Sequence, residues 1–107
     1  MGTNRIRRDV AAELRRGGLK PVRTEKRDGV RVIPGLGDTA CVVTAYFHYG
    51  DTPEAMGMEA RDCAELSATA EMILTAAGYS VRRTSISTFG IAAPSAQRAG
   101  LESFRLT

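Results

Sequence analysis

The sequence lacks several residues and patterns on which common activities depend. It has no tryptophan, one histidine and two cysteines, and aromatic residues make up 6% of the chain. Cys41 and Cys63 form no Cys-x-x-Cys pair, so we find no zinc-binding signature. No apolar run approaches the roughly 20 residues of a membrane helix. No hydrophobic segment follows the arginine-rich N-terminus, so we expect neither a membrane span nor a secretion signal.

The two cysteines are predicted to be reduced, buried thiols. They make no Cys-x-x-Cys pair, and an intracellular setting disfavours a disulfide between them. Together with the missing secretion signal, this favours a cytoplasmic protein.

Charge is sorted along the chain. Residues 1–34 carry ten Lys/Arg and four Asp/Glu, a net charge of +6. Residues 35–71 carry one arginine and seven acids, a net of −6, and residues 72–107 carry four arginines and one acid, a net of +3. Thirteen of the 15 basic residues are arginine, which pairs in a bidentate manner with carboxylate or phosphate. A charge distribution with two poles selects and orients partners, so the sequence favours an interaction function.

Segment 4–16 is predicted to be an amphipathic helix. Ile6, Val10 and Leu14 recur at four-residue spacing, and Gly17-Gly18 ends the helix. The opposite face holds four arginines, namely Arg5, Arg8, Arg15 and Arg16. These side chains are candidates to bind phosphates or an acidic protein surface. The alternative is a solvated face on which the arginines pair locally with acids of the same helix.

The rest of the chain alternates strand and helix signals. Strands are predicted at 20–26, 30–33, 39–49, 79–86 and 101–107, a helix from about Pro53 to Ala77, and a loop of small residues at 88–100. Cys41, Val43 and Ala45 fall on the core face of the clearest strand, which we place centrally in the sheet. The order αβββαββ predicts one α+β domain over residues 1–107. We expect a two-layer sandwich, with two helices on one face of a mostly antiparallel sheet of four to five strands.

No catalytic constellation accompanies the single histidine. His48 lies three residues before Asp51, but acid–base catalysis also needs an oriented partner and a nucleophile within reach. Gly35-Leu36-Gly37 lacks the Gly-Lys-Ser/Thr ending of a phosphate-binding loop and precedes a strand rather than a helix. We therefore predict no catalytic residue, no metal ligand and no cofactor, and we predict that the protein is not an enzyme.

The second helix has an outward face that is a candidate subunit interface. Ala64, Ala68 and Met72 lie at four-residue spacing beside Glu65, and small residues with methionine allow a second element to approach closely. The alternative is a surface of good helix formers. The acids between residues 51 and 71 fall mostly at helical spacing, which is typical of a solvated helix face rather than of a calcium loop.

The order αβββα over about residues 4–77 resembles the double-stranded-RNA-binding domain. That family grips phosphates with a lysine-rich turn at the start of its second helix. The corresponding stretch here, residues 51–65, is acidic. Carboxylates would therefore face the RNA phosphates, which argues against RNA binding of this kind.

A second resemblance covers most of the chain. The element order, the length and the ending (Leu74–Val81, a loop, then Leu101–Leu106) resemble small phage tail-terminator or neck proteins. The resemblance implies a non-enzymatic subunit of viral or mobile-element origin that forms rings, located in the host cytoplasm or in the virion. Opposed basic and acidic regions agree with it, because a head-to-tail contact between unlike faces generates rings or filaments.

Three functions follow, in order of preference. The first is assembly or protein interaction through complementary basic and acidic faces, with a protein partner or a second copy of the chain. The second is nucleic-acid binding through the arginine face of the first helix. The third is inhibition of a host defence enzyme by either charged face. No membrane partner is expected.

Overall fold

The computed structural model describes residues 2–23 and 27–93. Within them, six elements follow one another: helix α1 (Gly2–Arg16), strands β1 (Gly29–Pro34) and β2 (Thr39–Tyr46), helix α2 (Pro53–Ala76), and strands β3 (Val81–Arg83) and β4 (Thr88–Ala92). The strands form one antiparallel sheet in the order β1-β2-β4-β3. The predicted α+β fold is thereby confirmed, and β2 lies inside the sheet as expected.

The core lies between the two helices and one face of the sheet. Along β2, Cys41, Val43 and Ala45 are buried while the residues between them are half-buried, as the two-residue repeat of a strand requires. The other elements contribute side chains that are fully or almost fully buried, namely Val10 and Leu14 of α1, Val30 of β1, Ala70 and Leu74 of α2, and Phe89 and Ile91 of β4. The apolar stripes of both helices therefore meet the same face of the sheet.

Both helices have capping residues that the sequence predicts, at the end of α1 and at the start of α2. Gly18 has a φ of +96°, and the N–H of Leu19 returns to the Leu14 carbonyl at 2.9 Å, which closes α1. At the start of α2, the Thr52 hydroxyl oxygen accepts from the N–H of Ala55 at 3.1 Å, and Pro53 takes the first helical position.

The prediction of a loop at 88–100 is wrong for residues 88–92, which form β4 beside β2. Phe89 and Ile91 are both fully buried. Gly90 between them lies close to β2, since an added Cβ would lie 3.0 Å from Thr39 Cγ2 and this side chain would have to shift. The alternation of apolar and small residues extends over only three positions, which is too short to distinguish a strand from a loop. Residues 94–100 lie outside the described part.

The other predicted strands are shorter than expected. Of segment 20–26, residues 20–23 are not in a strand, although the Val22 N–H donates to the Val30 carbonyl at 2.8 Å; residues 24–26 lie outside the described part. β2 ends at Tyr46 rather than Tyr49, because Tyr46 is opposite Gly29, the first residue of its partner β1. Within 79–86 only residues 81–83 pair, and Ile86 is 64% exposed in the following turn. The predicted strand 101–107 also lies outside the described residues.

Candidate binding cleft at the sheet edge

A cleft of about 540 Å³ lies between α1, the segment 21–23 and the edge strand β1. Half of the described residues that line it are arginines, namely Arg7, Arg8, Arg15, Arg23 and Arg31. The remainder are aliphatic or small, namely Ala11, Pro21, Val22, Val32 and Ile33. No acidic side chain is among these lining residues. The cleft therefore combines an apolar surface with a concentration of positive charge.

The fold brings these arginines together from three separate stretches of sequence. Arg8 and Arg15 are seven residues apart, so they lie on the same side of α1 two turns from each other, while Val10 and Leu14 are buried against the sheet. Arg31 alternates with Val30 and Val32 along β1 and therefore points to the opposite face of the sheet from them. The lining thus includes residues from both faces of β1.

The charges of Arg8, Arg15 and Arg23 are available in the described structure. None of the three makes an ion pair or a side-chain hydrogen bond with another described residue, and all three are exposed. Arg7 approaches Cys41: burial raises the pKa of this thiol to about 11, and the positive charge of Arg7 opposes that rise. Cys41 therefore stays protonated at neutral pH and is a poor nucleophile.

The structure places two of the four arginines of the predicted basic face in the cleft and two outside it. Arg8 and Arg15 line the cleft, whereas Arg5 is exposed outside it and Arg16 pairs with Glu13 of its own helix. Arg7, Arg23 and Arg31 are additional residues that the sequence reasoning did not single out. The sequence shows that these residues are basic and that Arg31 lies in a strand. It does not show that they lie close to α1, because that proximity arises from tertiary packing.

The adjacent arginines of the third strand do not line this cleft. Arg82 and Arg83 lie on β3, at the edge of the sheet opposite β1. The Arg83 guanidinium is bound by Glu71 of α2 at 2.7 Å and by the Ser67 hydroxyl at 3.0 Å. Its charge is therefore neutralised within the chain.

The predicted outward face of α2 is exposed along most of its length. Met72 is 72% exposed, Glu65 and Ala68 are exposed, and Ala64 is half-buried. Met58, which lies nearer the start of the helix than Ala64, is 49% exposed. This surface stays a predicted interface.

Some acids of α2 and of the segment before it make contacts within the chain, and others are exposed. Glu59 accepts the N–H of Tyr49 at 2.6 Å and lies 3.5 Å from the His48 ring nitrogen Nδ1. Asp62 accepts the Tyr49 hydroxyl at 2.7 Å, and this hydrogen bond is the main cause that raises the pKa of Tyr49 to about 12. These contacts hold the segment between β2 and α2. Asp51 and Glu54 are exposed and make no ion pair with the described residues.

His48 has no catalytic arrangement around it in the described residues. Its ring contacts Glu59 rather than the Asp51 considered from the sequence, and its backbone N–H donates to Asp28 at 3.1 Å. No hydroxyl or thiol of the described residues is hydrogen-bonded to the ring. Among the same residues, no three His, Cys, Asp or Glu side chains are grouped so as to hold a metal ion.

The comparisons with known proteins identify no relative. No family model matches the chain, and neither a curated protein nor a solved structure shows significant similarity to it. Neither helix of the described part combines the length and the apolar character that spanning a membrane requires.

Proposed function

We propose that this chain is a non-catalytic assembly or interaction protein of phage or mobile-element origin, which binds its partners through separate basic and acidic surfaces. The basic surface is the arginine-lined cleft together with the exposed Arg5 of α1. The acidic surface is the exposed part of α2 and the residues that precede it.

One observation carries this proposal. In the described residues, none of Arg5, Arg8 and Arg15 pairs with an acid between residues 51 and 71, and Arg16 pairs only within α1. The opposite charges of the two segments therefore do not neutralise each other through these side chains. Exposed charges of one sign steer encounters with a complementary surface.

The two surfaces are unequal. Glu59, Asp62 and Glu71 are engaged in contacts within the chain, which leaves Asp51, Glu54 and Glu65 as exposed acids without an ion pair in the described residues. The basic surface is the more available of the two. A contact between the basic surface of one copy and the acidic surface of the next would be heterologous, and such contacts build rings or filaments.

Nucleic-acid binding is the second candidate, and the absence of acids among the described cleft-lining residues favours it. Arginine recognises phosphate in the same bidentate manner as carboxylate. None of the lining residues that the structure describes is aromatic, so these residues offer no base stacking, and binding of this kind would depend on the phosphate backbone and fall steeply with salt. Inhibition of a host defence enzyme is the third candidate, and it would use either of the two charged surfaces to bind a protein partner.

Two measurements test the proposal: the mass of the purified chain by sedimentation over a range of concentrations, and the recovery of a protein partner, each at low and at high salt. We expect self-association or a bound partner at low salt, and dissociation at high salt because exposed charges are screened. Replacing Arg8→Glu and Arg15→Glu together should weaken association roughly tenfold, and Glu65→Arg should restore part of it.

The matched control replaces Arg16→Glu and Arg82→Glu, which changes the net charge equally but leaves the cleft intact. We expect this control to assemble almost normally. A strict monomer at high concentration and low salt, with no partner recovered, would contradict the proposal.

A further inference from the structure

The edge strand β1 presents an unused pair of main-chain groups within the cleft. In β2, the N–H of Ala45 donates to Ser87 on the β4 side at 2.9 Å, so the odd-numbered residues of β2 bond towards β4. Its even-numbered residues then bond towards β1, where Thr44 is opposite Arg31 and Val42 is opposite Ile33. The main-chain groups of Val30 and Val32 consequently point away from β2.

A hydrogen bond at the edge confirms this direction. The Val30 carbonyl accepts from the Val22 N–H at 2.8 Å, on the side away from β2. Val32 is two residues further along and has the same orientation. Its N–H and carbonyl bond to no residue of the segment 20–23 that runs beside them, nor to any other residue the structure describes outside the sheet. An open strand edge of this kind is a template for a further strand.

The side chains around this edge indicate which residues an added strand would carry. Ala11, Val22 and Ile33 provide aliphatic surface, and the exposed Arg8, Arg15 and Arg23 provide positive charge, with no acid among the lining residues that the structure describes. Side chains of an extended peptide alternate between two faces, so acidic side chains on the α1 side would meet Arg8 and Arg15, and aliphatic side chains on the other side would lie next to Ile33. The peptide that fits carries acidic side chains interspersed with aliphatic ones.

We infer that the cleft binds an extended acidic segment of a partner protein, added as a strand along β1 at Val32 and held by the cleft arginines. This inference rests on the proposed function and specifies the partner of its basic surface. The main-chain groups of Val32 distinguish the peptide from a nucleic acid, because a peptide backbone supplies both a donor and an acceptor in strand geometry and a sugar–phosphate backbone does not.

The test is a fluorescence-anisotropy titration of the full chain with a short labelled peptide that alternates glutamate and valine. Three further probes accompany it: the same peptide with glutamine for glutamate, the same peptide with methylated backbone nitrogens, and labelled single- and double-stranded DNA. We expect saturable binding of the acidic peptide, and at least roughly tenfold weaker binding of the glutamine and methylated peptides.

Two protein variants locate the site. Arg8→Glu with Arg15→Glu should weaken peptide binding by roughly tenfold or more, whereas Arg16→Glu with Arg82→Glu should change it less than about threefold. Circular dichroism checks that both variants fold. The methylated peptide tests the strand geometry on the unaltered protein, so that part does not depend on a variant.

Each remaining outcome overturns the inference in a distinguishable way. Equal weakening by the two variants would mean that net charge alone drives binding, so the cleft would not be the binding site, although the proposed function would still stand. Undiminished binding of the methylated peptide would show that the peptide does not add to β1 as a strand, and the proposed function would again still stand. Tighter binding of DNA than of peptide, lost in the cleft variant, would favour nucleic-acid binding over both. If neither acidic peptide nor DNA binds, the inference and the basic half of the proposed function fail together.

Discussion

Arg83 and Arg15 are both arginines of a basic segment, but their surroundings differ. The Arg83 Nε donates to Glu71 at 2.8 Å, one Nη donates to the Ser67 hydroxyl at 3.0 Å and to the Ser85 carbonyl at 2.8 Å, and the guanidinium lies 5.4 Å from the centre of the Phe89 ring. Arg15 makes no hydrogen bond or ion pair with a described residue. Arg83 therefore links β3 to α2, and Arg15 is free to meet a partner.

Tyr49 provides a test at the same scale. Its hydroxyl donates to Asp62, and this bond raises its pKa to about 12, so the folded chain holds the phenolic proton more tightly than the unfolded chain. The resulting stabilisation is complete below pH 10 and is lost as the pH rises through about 12. We expect urea midpoints of the wild type to fall more between pH 9 and 11 than those of Tyr49→Phe, which has no proton to lose.

The control for this comparison is Asp62→Asn, which removes the charged acceptor and keeps the tyrosine. Its midpoints should also fall less steeply than those of the wild type over the same range. Parallel pH profiles for the wild type and Tyr49→Phe would show that the hydroxyl and Asp62 do not interact in solution.

At the scale of elements, two glycines are expected to respond oppositely to alanine. Gly57 lies inside α2, which continues through it, and an added Cβ would meet nothing within 4 Å. Gly57→Ala should raise the free energy of unfolding by about 0.8 kcal/mol, because glycine is a poor helix former. Gly35 lies in the turn between β1 and β2, where an added Cβ would lie 2.1 Å from the Thr39 carbonyl oxygen.

Gly35→Ala should therefore lower the free energy of unfolding by roughly 1–3 kcal/mol, since the turn must shift to accept the methyl group. Urea unfolding followed by circular dichroism measures both changes. A stabilised Gly35→Ala variant would contradict the geometry of this turn, and a destabilised Gly57→Ala variant would contradict the continuous helix.

The elements that were predicted correctly are those with strong local signals. α1 and α2 have apolar stripes and end signals such as Thr52-Pro53 and Gly17-Gly18, and β2 has a long run of β-branched and aromatic residues. β4 was missed because its apolar residues, Phe89 and Ile91, flank a glycine that only a neighbouring strand explains. The lengths of β2 and β3 depend on where their partner strands end, which no local pattern encodes.

The candidate site could be predicted only in part for a related reason. Arg8 and Arg15 belong to a helical face that the sequence shows directly. Arg23 and Arg31 reach the same cleft because β1 lies at the edge of the sheet next to α1, and strand order is a property of the whole fold. Likewise, the neutralisation of Arg83 by Glu71 requires β3 to pack near α2.

At the scale of the whole molecule, the position of the charges matters more than their sum. The net charge is only +3, but the arginines of the cleft lie at one edge of the sheet and Arg83 is neutralised at the other. Acids that could have cancelled the basic surface are partly used to hold Tyr49 and Arg83. The described residues therefore present a stronger basic surface and a weaker acidic one, which supports the proposal of an acidic partner.

The most direct measurement of this claim is a titration of the isotope-labelled chain with short poly-glutamate, followed by the shifts of its backbone amide resonances. We expect the shifts to be confined to residues 5–15, 21–23 and 31–33 and to disappear at high salt. Shifts spread evenly over the chain, or centred on residues 51–71, would show that the basic surface is not a distinct binding region and would contradict the account.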